Sequence, residues 1–274
     1  MQTLVIGANG WIGQSLVDYN ASIFPANISS NSSIFEFKEW LNEQNYECFI
    51  NCVGKFNGSE SDMEWANVGI LELILERARR IGSRVITLGS AAEYGNVDHS
   101  LLREDDKPNP ISIYGRQKLI ATNLINDYIE VGVSCVSARL FNVLGPGQPA
   151  TTALGQIVRK INGLESDTIF SLDDYDIERD YISLEFVTET IMKLITLEFS
   201  GILNVGSGQP VKLLDVVTEY AKIRNVNVLL GNLNANRVLS AVADTSKLNS
   251  LGIRPNQLTL RKMSDLIMSE ASES

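Results

Sequence analysis

The sequence is short of metal ligands and of positive charge. In 274 residues there is one histidine, His99, and three cysteines, Cys48, Cys52 and Cys135. Cys48 and Cys52 share an apolar run and read as buried thiols. They supply too few ligands for a zinc site, so no metal is expected. An odd cysteine count without a secretory leader suits a reducing compartment, and a cytoplasmic location is the expectation. Lys and Arg number 23 against 33 Asp and Glu, a formal net charge of −10, which argues against nucleic acid or an anionic membrane surface as the main partner. A small anionic ligand stays open, because helix N-termini and a few local cations can hold one. No apolar run reaches the length that spans a bilayer, and there is no repeat, low-complexity tract or clear linker. With 44% hydrophobic residues, the length allows one large domain or two intimately joined ones.

What is present begins at the N-terminus. Thr3-Leu4-Val5-Ile6 reads as a short strand, followed by Gly7-Ala8-Asn9-Gly10-Trp11-Ile12-Gly13 and a helical pattern through Leu16 and Val17. Strand, glycine turn and helix is the context of a dinucleotide-binding loop. Gly7 permits the tight turn, Gly10 the close approach of a pyrophosphate, and Gly13 the packing of helix on sheet. The loop, with Asn9, Trp11 and Ile12, presents a helix N-terminus to phosphates. The acidic residue that usually holds the ribose hydroxyls, about 20 residues further on, is missing. Asn20 to Ser33 has neither acid nor arginine, and Ile23 and Phe24 read as a stunted strand. The adenosine end is therefore expected to be abbreviated, and the missing acid puts NADP ahead of NAD. Ser29, Ser30, Asn31, Ser32 and Ser33 read either as hydrogen-bond partners of a 2′-phosphate or as a plain flexible loop.

Further on, the pattern predicts helices over Ile34 to Gln44, Met63 to Ile81 and Ile113 to about Val131. It predicts strands over Cys48 to Gly54, Arg84 to Gly89 and Val133 to Leu140, and a polar loop from Leu101 to Pro110. Tyr114 and Lys118, four apart in Ile113-Tyr114-Gly115-Arg116-Gln117-Lys118, fall on one helix face. A nearby ammonium stabilises a phenolate, so such a pair makes a proton donor for neutral pH. Alone, the same spacing describes any surface Tyr and Lys on an amphipathic helix.

Several motifs in order resemble the extended short-chain dehydrogenases/reductases, the nucleotide-sugar epimerase and dehydratase family. They are the G-x-x-G-x-x-G loop; Ser90 four residues before Tyr94 of Tyr94-Gly95; the Tyr114 and Lys118 pair; Arg139-Leu140-Phe141-Asn142-Val143-Leu144-Gly145-Pro146; Glu178-Arg179-Asp180-Tyr181-Ile182; and Leu203-Asn204-Val205-Gly206-Ser207-Gly208. The resemblance implies an α/β fold: a Rossmann-type doubly wound parallel sheet over residues 1–142. A smaller C-terminal substrate-binding region would cover 143–274, with about 180–205 returning to the first domain. It implies a catalytic set of Ser90, Tyr114 and Lys118. Ser90 would hold the substrate oxygen, and Lys118 would lower the Tyr114 pKa and bind the cofactor ribose. Cofactor contacts would come from Gly7, Asn9, Gly10, Trp11, Ile12, Gly13, Cys52, Val53 and Gly54 together with Tyr114 and Lys118, and the cofactor would be NADP or NAD. The substrate would be a nucleotide-diphosphate sugar touched by Ser90, Asn142 and Arg179. Arg237 is a further phosphate ligand on this reading, although Val238-Leu239-Ser240 departs from the family's R-P-G-D. Asn67 would be structural. A homodimer is implied, through the helices of Ile70, Leu73 and Ile74 and of Leu119, Leu124 and Ile125, whose apolar residues look more numerous than one sheet face needs.

The reaction is narrowed by another absence. Family dehydratases place an Asp-Glu pair directly after the serine or threonine, and epimerase/reductases acting at two carbons use a cysteine and a histidine. Here Ala91 and Ala92 stand in those places, and methyl groups move no protons. Hydride chemistry at one carbon remains. The expectation is an NAD(P)H-dependent reductase of a nucleotide-linked 4-keto-6-deoxy sugar, with an NAD-dependent 4-epimerase as the alternative. A cofactor-binding sensor or scaffold without turnover is the alternative of another class.

Overall fold

The computed structural model describes residues 1–19, 23–25, 34–97, 101–234, 238–255 and 257–268. The chain divides into two units. The first comprises Met1–Gly95, Lys107–Leu140 and Val187–Val205. It is built on a six-stranded parallel sheet in the order Gly201–Val205, Cys135–Leu140, Arg84–Ser90, Cys48–Asn51, Thr3–Ile6, Ile23–Pro25. Thr3–Ile6, Cys48–Asn51 and Cys135–Leu140 are buried at every position. Continuous burial, not alternation, is what a parallel sheet covered on both faces imposes.

The order carries the functional consequence. From Thr3–Ile6 the chain goes one way to Ile23–Pro25, then back past its start to Cys48–Asn51. Such a reversal opens a crevice at the carboxyl ends of the strands on either side of it, where open α/β sheets bind ligands. Among the described residues a single three-residue strand, Ile23–Pro25, lies beyond Thr3–Ile6, so that side of the sheet is abbreviated. The serines at 29, 30, 32 and 33 and Asn31 lie outside the described residues.

Phe37 and Leu41 of the helix Ile34–Glu43, Leu71, Ile74, Leu75 and Ala78 of Ile70–Ile81, and Ala121 and Ile125 of Ile113–Glu130 close one core with Leu4, Ile6, Phe49 and Val85. This accounts for part of the surplus inferred for a dimer. Ile70, Ile74 and Ile125 are consumed in the unit's own core, and Leu73 and Leu124 pack partly against it. The expected helix Met63 to Ile81 also differs. It starts at Glu60, capped by Ser59, and runs through a π-helical turn, Trp65–Gly69, before the α-helix resumes. The wide turn points Asn67 inward. Asn67 accepts from the Lys55 amide (2.9 Å) and donates to the Lys55 carbonyl and to Gln117 Oε1 (2.9 Å each).

The second unit comprises Asn96–Asp106, Phe141–Phe186 and Gly206–Ser274. Residues 96–106 thus group with it, and the later return to the first unit spans 187–205. Leu101–Leu102, expected as loop, pairs with Ser240–Ala243 at the edge of a small sheet that continues through Glu178–Arg179 to Val211–Lys212. Its core gathers Leu154 and Ile161 of Ala153–Asn162, Val216, Val217 and Tyr220 of Leu213–Ile223, and Met263 of Leu260–Met268. Asp180, fully buried, ties its backbone together, accepting from Ser207 N (2.7 Å), Ser207 Oγ (2.6 Å), Gly208 N (2.9 Å) and Ala243 N (3.1 Å). No helix among the described residues is long and apolar enough to cross a membrane.

Candidate active site

The two strand ends that flank the reversal carry the predicted cofactor residues. After Thr3–Ile6 the chain turns at Gly7 (φ +86°) and enters the helix Trp11–Tyr19. A Cβ on Gly7 would stand 2.9 Å from Val53 N, and one on Gly13 2.2 Å from Gly7 O, so the turn, the helix and the neighbouring strand end can approach only as glycines. Asn9 and Gly10 are exposed at the helix start. Cys52 N donates to Ile6 O (2.8 Å), and Val53 N to Asn51 Oδ1 (3.1 Å). Exposed backbone ahead of a helix N-terminus, in a cradle that side chains would fill, fits a dinucleotide pyrophosphate. Burial pushes the Cys52 thiol up to about 12, against the opposing influence of Lys118, so it is no nucleophile at neutral pH.

Gly54 leads from this cradle to the catalytic set, since its Cβ would lie 3.6 Å from Lys118 Nζ. Lys118 and Tyr114 share one face of Ile113–Glu130, a helix capped by Ser112, whose Oγ accepts from Gly115 N (2.9 Å). Gly115 faces the Ser90 turn so closely that a Cβ there would meet Ala92 O at 2.4 Å. The buried Lys118 donates to Leu88 O (2.9 Å) and lies 5.8 Å from the centre of the Tyr114 ring. Burial lowers its pKa to about 8, which Glu93 and Cys52 partly oppose.

Tyr114 corrects one expectation. Burial holds its phenol above the ordinary tyrosine value, with the Ser90 side chain opposing as hydrogen-bond partner and Glu93 adding to the rise. Spacing along the helix gives proximity to the ammonium, but desolvation of the hydroxyl outweighs it here. Ser90 ends the strand Arg84–Ser90 and caps the short turn Ala91–Glu93. Its Oγ accepts from Ala92 N (3.2 Å), and its backbone N–H donates to Glu93 Oε1 (2.8 Å). The same hydroxyl is the hydrogen-bond partner of the Tyr114 phenol. The ring of Phe56, itself 50% exposed, rests on that of Tyr114 with centroids 4.4 Å apart.

The predicted substrate residues Asn142 and Arg179 belong to the second unit. Asn142 donates from its backbone N and from Nδ2 to the Asp180 carbonyl, 3.0 Å each. Arg179 is half-buried and donates from Nη1 to Glu178 O (2.7 Å); burial lowers its pKa. Arg237 lies outside the described residues.

Residues 23–206 match the sequence model of the NAD dependent epimerase/dehydratase family, more than half of the chain. The chain belongs to that family. A dTDP-6-deoxy-L-talose 4-dehydrogenase (NAD(P)(+)) of Kitasatospora kifunensis is 30% identical over 189 residues, 65% of this chain and 59% of that protein. A UDP-glucose 4-epimerase of Lactobacillus helveticus is 26% identical over 190 residues, 61% of this chain and 57% of its own length. The chain thus spans somewhat under two thirds of these relatives. Among solved structures, MoeE5 in complex with UDP-glucuronic acid and NAD shares the fold at TM-score 0.82 and 24% identity, with 97% of each chain covered.

The family match includes Ser90, Tyr114 and Lys118, whereas the glycine loop from Gly7 to Gly13 precedes it. Sequence reasoning missed three features of this epimerase/dehydratase-family site. Glu93 is engaged on one side by Ser90 N and on the other by Arg139 Nε (2.7 Å). The S-x-x-E spacing of Ser90 and Glu93 was a readable capping box. Arg139, 46 residues further on, had no local signal. Phe56 and the Asn67 clamp on Lys55 depend on the π turn, which no pattern in the sequence announced.

Proposed function

We propose that this chain is an NAD(P)H-dependent reductase of a nucleotide-linked 4-keto-6-deoxy sugar. The observation that carries the reading is that, among the described residues, the Tyr114 and Lys118 pair has no free carboxylate beside it. Tyr114 is kept protonated by its surroundings, Ala91 and Ala92 offer only methyl groups, and the neighbouring Glu93 is committed to Arg139 and to Ser90 N. Elimination of water and epimerisation at two carbons both need more groups than this. The 4-dehydrogenase relative supports the choice, because oxidation at C4 run backwards is a 4-keto reduction.

In this reading the dinucleotide lies on the loop of Gly7, Asn9, Gly10, Trp11, Ile12 and Gly13 and on Cys52, Val53 and Gly54. The bound nicotinamide supplies the hydride. Tyr114 gives its proton to the ketone oxygen as that oxygen gains charge, and Ser90 donates a hydrogen bond to the same atom. Lys118 holds positive charge beside the phenol and offers its ammonium to the ribose. Asn142 and Arg179 contact the sugar nucleotide, and Arg179 supplies the fork that suits a diphosphate. NADP is preferred to NAD on the missing ribose acid.

The 4-epimerase relatives support a second reading with the same triad. One experiment separates the two. Purified protein is mixed with reduced cofactor and a nucleotide-linked 4-keto-6-deoxyhexose, and the nicotinamide absorbance is followed. The reductase consumes one reduced cofactor per sugar. An epimerase interconverts C4 epimers of the alcohol with no net consumption, and that outcome would overturn the reductase assignment.

A further inference from the structure

Directly behind the serine lies a buried ion pair that the mechanism above leaves unused. Glu93 and Arg139 are 0% and 1% exposed in their side chains, and Arg139 Nε donates to Glu93 Oε2 at 2.7 Å. The guanidinium carbon stands 4.7 Å from the centre of the Tyr94 ring, whose hydroxyl donates to Asn204 Oδ1 (2.7 Å). Arg139 Nη1 is buried with no hydrogen-bond partner. The other carboxylate oxygen, Oε1, accepts from Ser90 N at 2.8 Å.

Such an arrangement is a poor way to gain stability. Desolvating two charges costs several kcal/mol per ion by common reckoning, and a well-packed apolar pair of similar volume often serves as well or better. An orphaned guanidinium nitrogen adds to that cost. The position of the pair supplies another reason for its presence. The carboxylate grips the backbone of Ser90, and Arg139, anchored in the adjacent strand Cys135–Leu140, fixes the carboxylate.

We infer that Glu93 and Arg139 are positioning residues: together they fix the Ser90 turn against the helix of Tyr114. The charged and titratable groups around the phenol are Glu93 from the turn and Lys118 from its own helix, with Ser90 as hydrogen-bond partner. Around Lys118 they are Glu93 and Cys52. Around Glu93 they are Arg139, Tyr114 and Lys118, and around Arg139 they are Glu93 and Tyr94. Glu93 raises both the phenol and the ammonium, while burial is the larger influence on each.

The inference rests on the reductase reading for its kinetic part alone. Glu93→Gln keeps an oxygen for Ser90 N and removes the charge. Because it strands Arg139 in the core, the double variant Glu93→Gln/Arg139→Met is made beside it, with neither charge of the pair left. The first measurement is the ultraviolet titration of the Tyr114 phenol, as the difference between each protein and its Tyr114→Phe counterpart; it needs no substrate. The phenol should titrate about one pH unit lower in the variants. The second is the pH profile of kcat/KM for ketone reduction. The acid must be protonated, so its alkaline limb should move down by the same amount, and kcat should fall about tenfold with KM little changed. Loss of thermal stability with an unmoved titration and an unmoved alkaline limb would show the pair to be structural and overturn the inference. Should the wild-type protein reduce no ketone at all, the reductase reading fails, and the titration still decides the role of Glu93.

Discussion

Tyr114 sits under two opposed influences, and the balance is informative. Burial and Glu93 hold the phenol above its ordinary value, while Ser90 pulls it down. A proton donor for a ketone needs the phenol protonated, so its rise extends the working range of reduction towards alkaline pH. Tyr114→Phe keeps the ring on Phe56 and removes the proton. Turnover should fall by about three orders of magnitude or more while dinucleotide affinity changes by less than about threefold. Stopped-flow kinetics and a fluorescence titration check it, and near-native turnover would refute the triad. Lys118 behaves differently. Its ammonium is already destabilised, with a pKa of about 8, so a bound anionic dinucleotide should restore the charge. Dinucleotide binding at about pH 9 should then take up protons, visible as a dependence of the calorimetric enthalpy on the buffer. Affinity should weaken as pH rises through this range. Lys118→Met should abolish the uptake and weaken binding. The neighbourhood of Tyr114 and Lys118 was legible because chain spacing fixes which side chains share a helix face, whereas Ser90 was marked by the motif it shares with Tyr94-Gly95. The sign of the Tyr114 shift was not, because desolvation depends on what covers the hydroxyl, and that is a property of the packed structure.

At the scale of elements, the helix Ile113–Glu130 and the strands around the reversal were legible from apolar runs and from glycine placement. The π turn Trp65–Gly69 was not, because a continuous helical pattern runs straight through it. Its consequence is local: Asn67 bonds the Lys55 N–H and carbonyl and Gln117 on the Tyr114 helix, and Phe56, the residue after Lys55, lies against the Tyr114 ring. Asn67→Ala removes the partner of the part-buried Lys55 N–H and carbonyl and of Gln117 Oε1, a loss of about 1–3 kcal/mol by the usual cost of such groups. Melting temperature should drop, and kcat should fall further than the stability loss explains, since the Phe56 loop is freed. Phe56→Ala should reproduce the kinetic loss without the thermal one, because Phe56 is half exposed and its ring is the contact at issue. A thermal loss alone in Asn67→Ala would confine the π turn to a structural role. Ile70, Ile74 and Ile125, three of the six apolar residues read as a dimer face, belong to the core for a related reason. Periodicity marks a buried face but does not distinguish burial in the chain's own core from burial against a partner.

For the whole molecule, the charge balance frames recognition of the proposed substrate. A net charge of −10 repels a nucleotide diphosphate at long range, and the contact must be made by local cations. Arg179 is the candidate among the described residues. Its side chain is half-buried and, among the described residues, donates from Nη1 to the Glu178 carbonyl, and a guanidinium has further donors to offer a ligand. Burial destabilises its charge, and a diphosphate would relieve that. The two ranges respond differently to salt. Long-range repulsion is screened once the Debye length falls from about 30 Å at 0.01 M to about 8 Å at 0.15 M, whereas a half-buried contact is screened much less. The kcat/KM for a nucleotide-linked ketosugar should therefore rise, or at least hold, over that range of ionic strength. A steep fall with salt would mean that a basic field steers the substrate and that the acidic surface lies away from the entry path. In Arg179→Ala the KM should increase about tenfold or more, with melting temperature nearly unchanged and dinucleotide affinity little affected. The salt response should keep its sign, because the long-range field is untouched. If the variant instead loses thermal stability and keeps its KM, Arg179 is a structural residue and the diphosphate is held elsewhere.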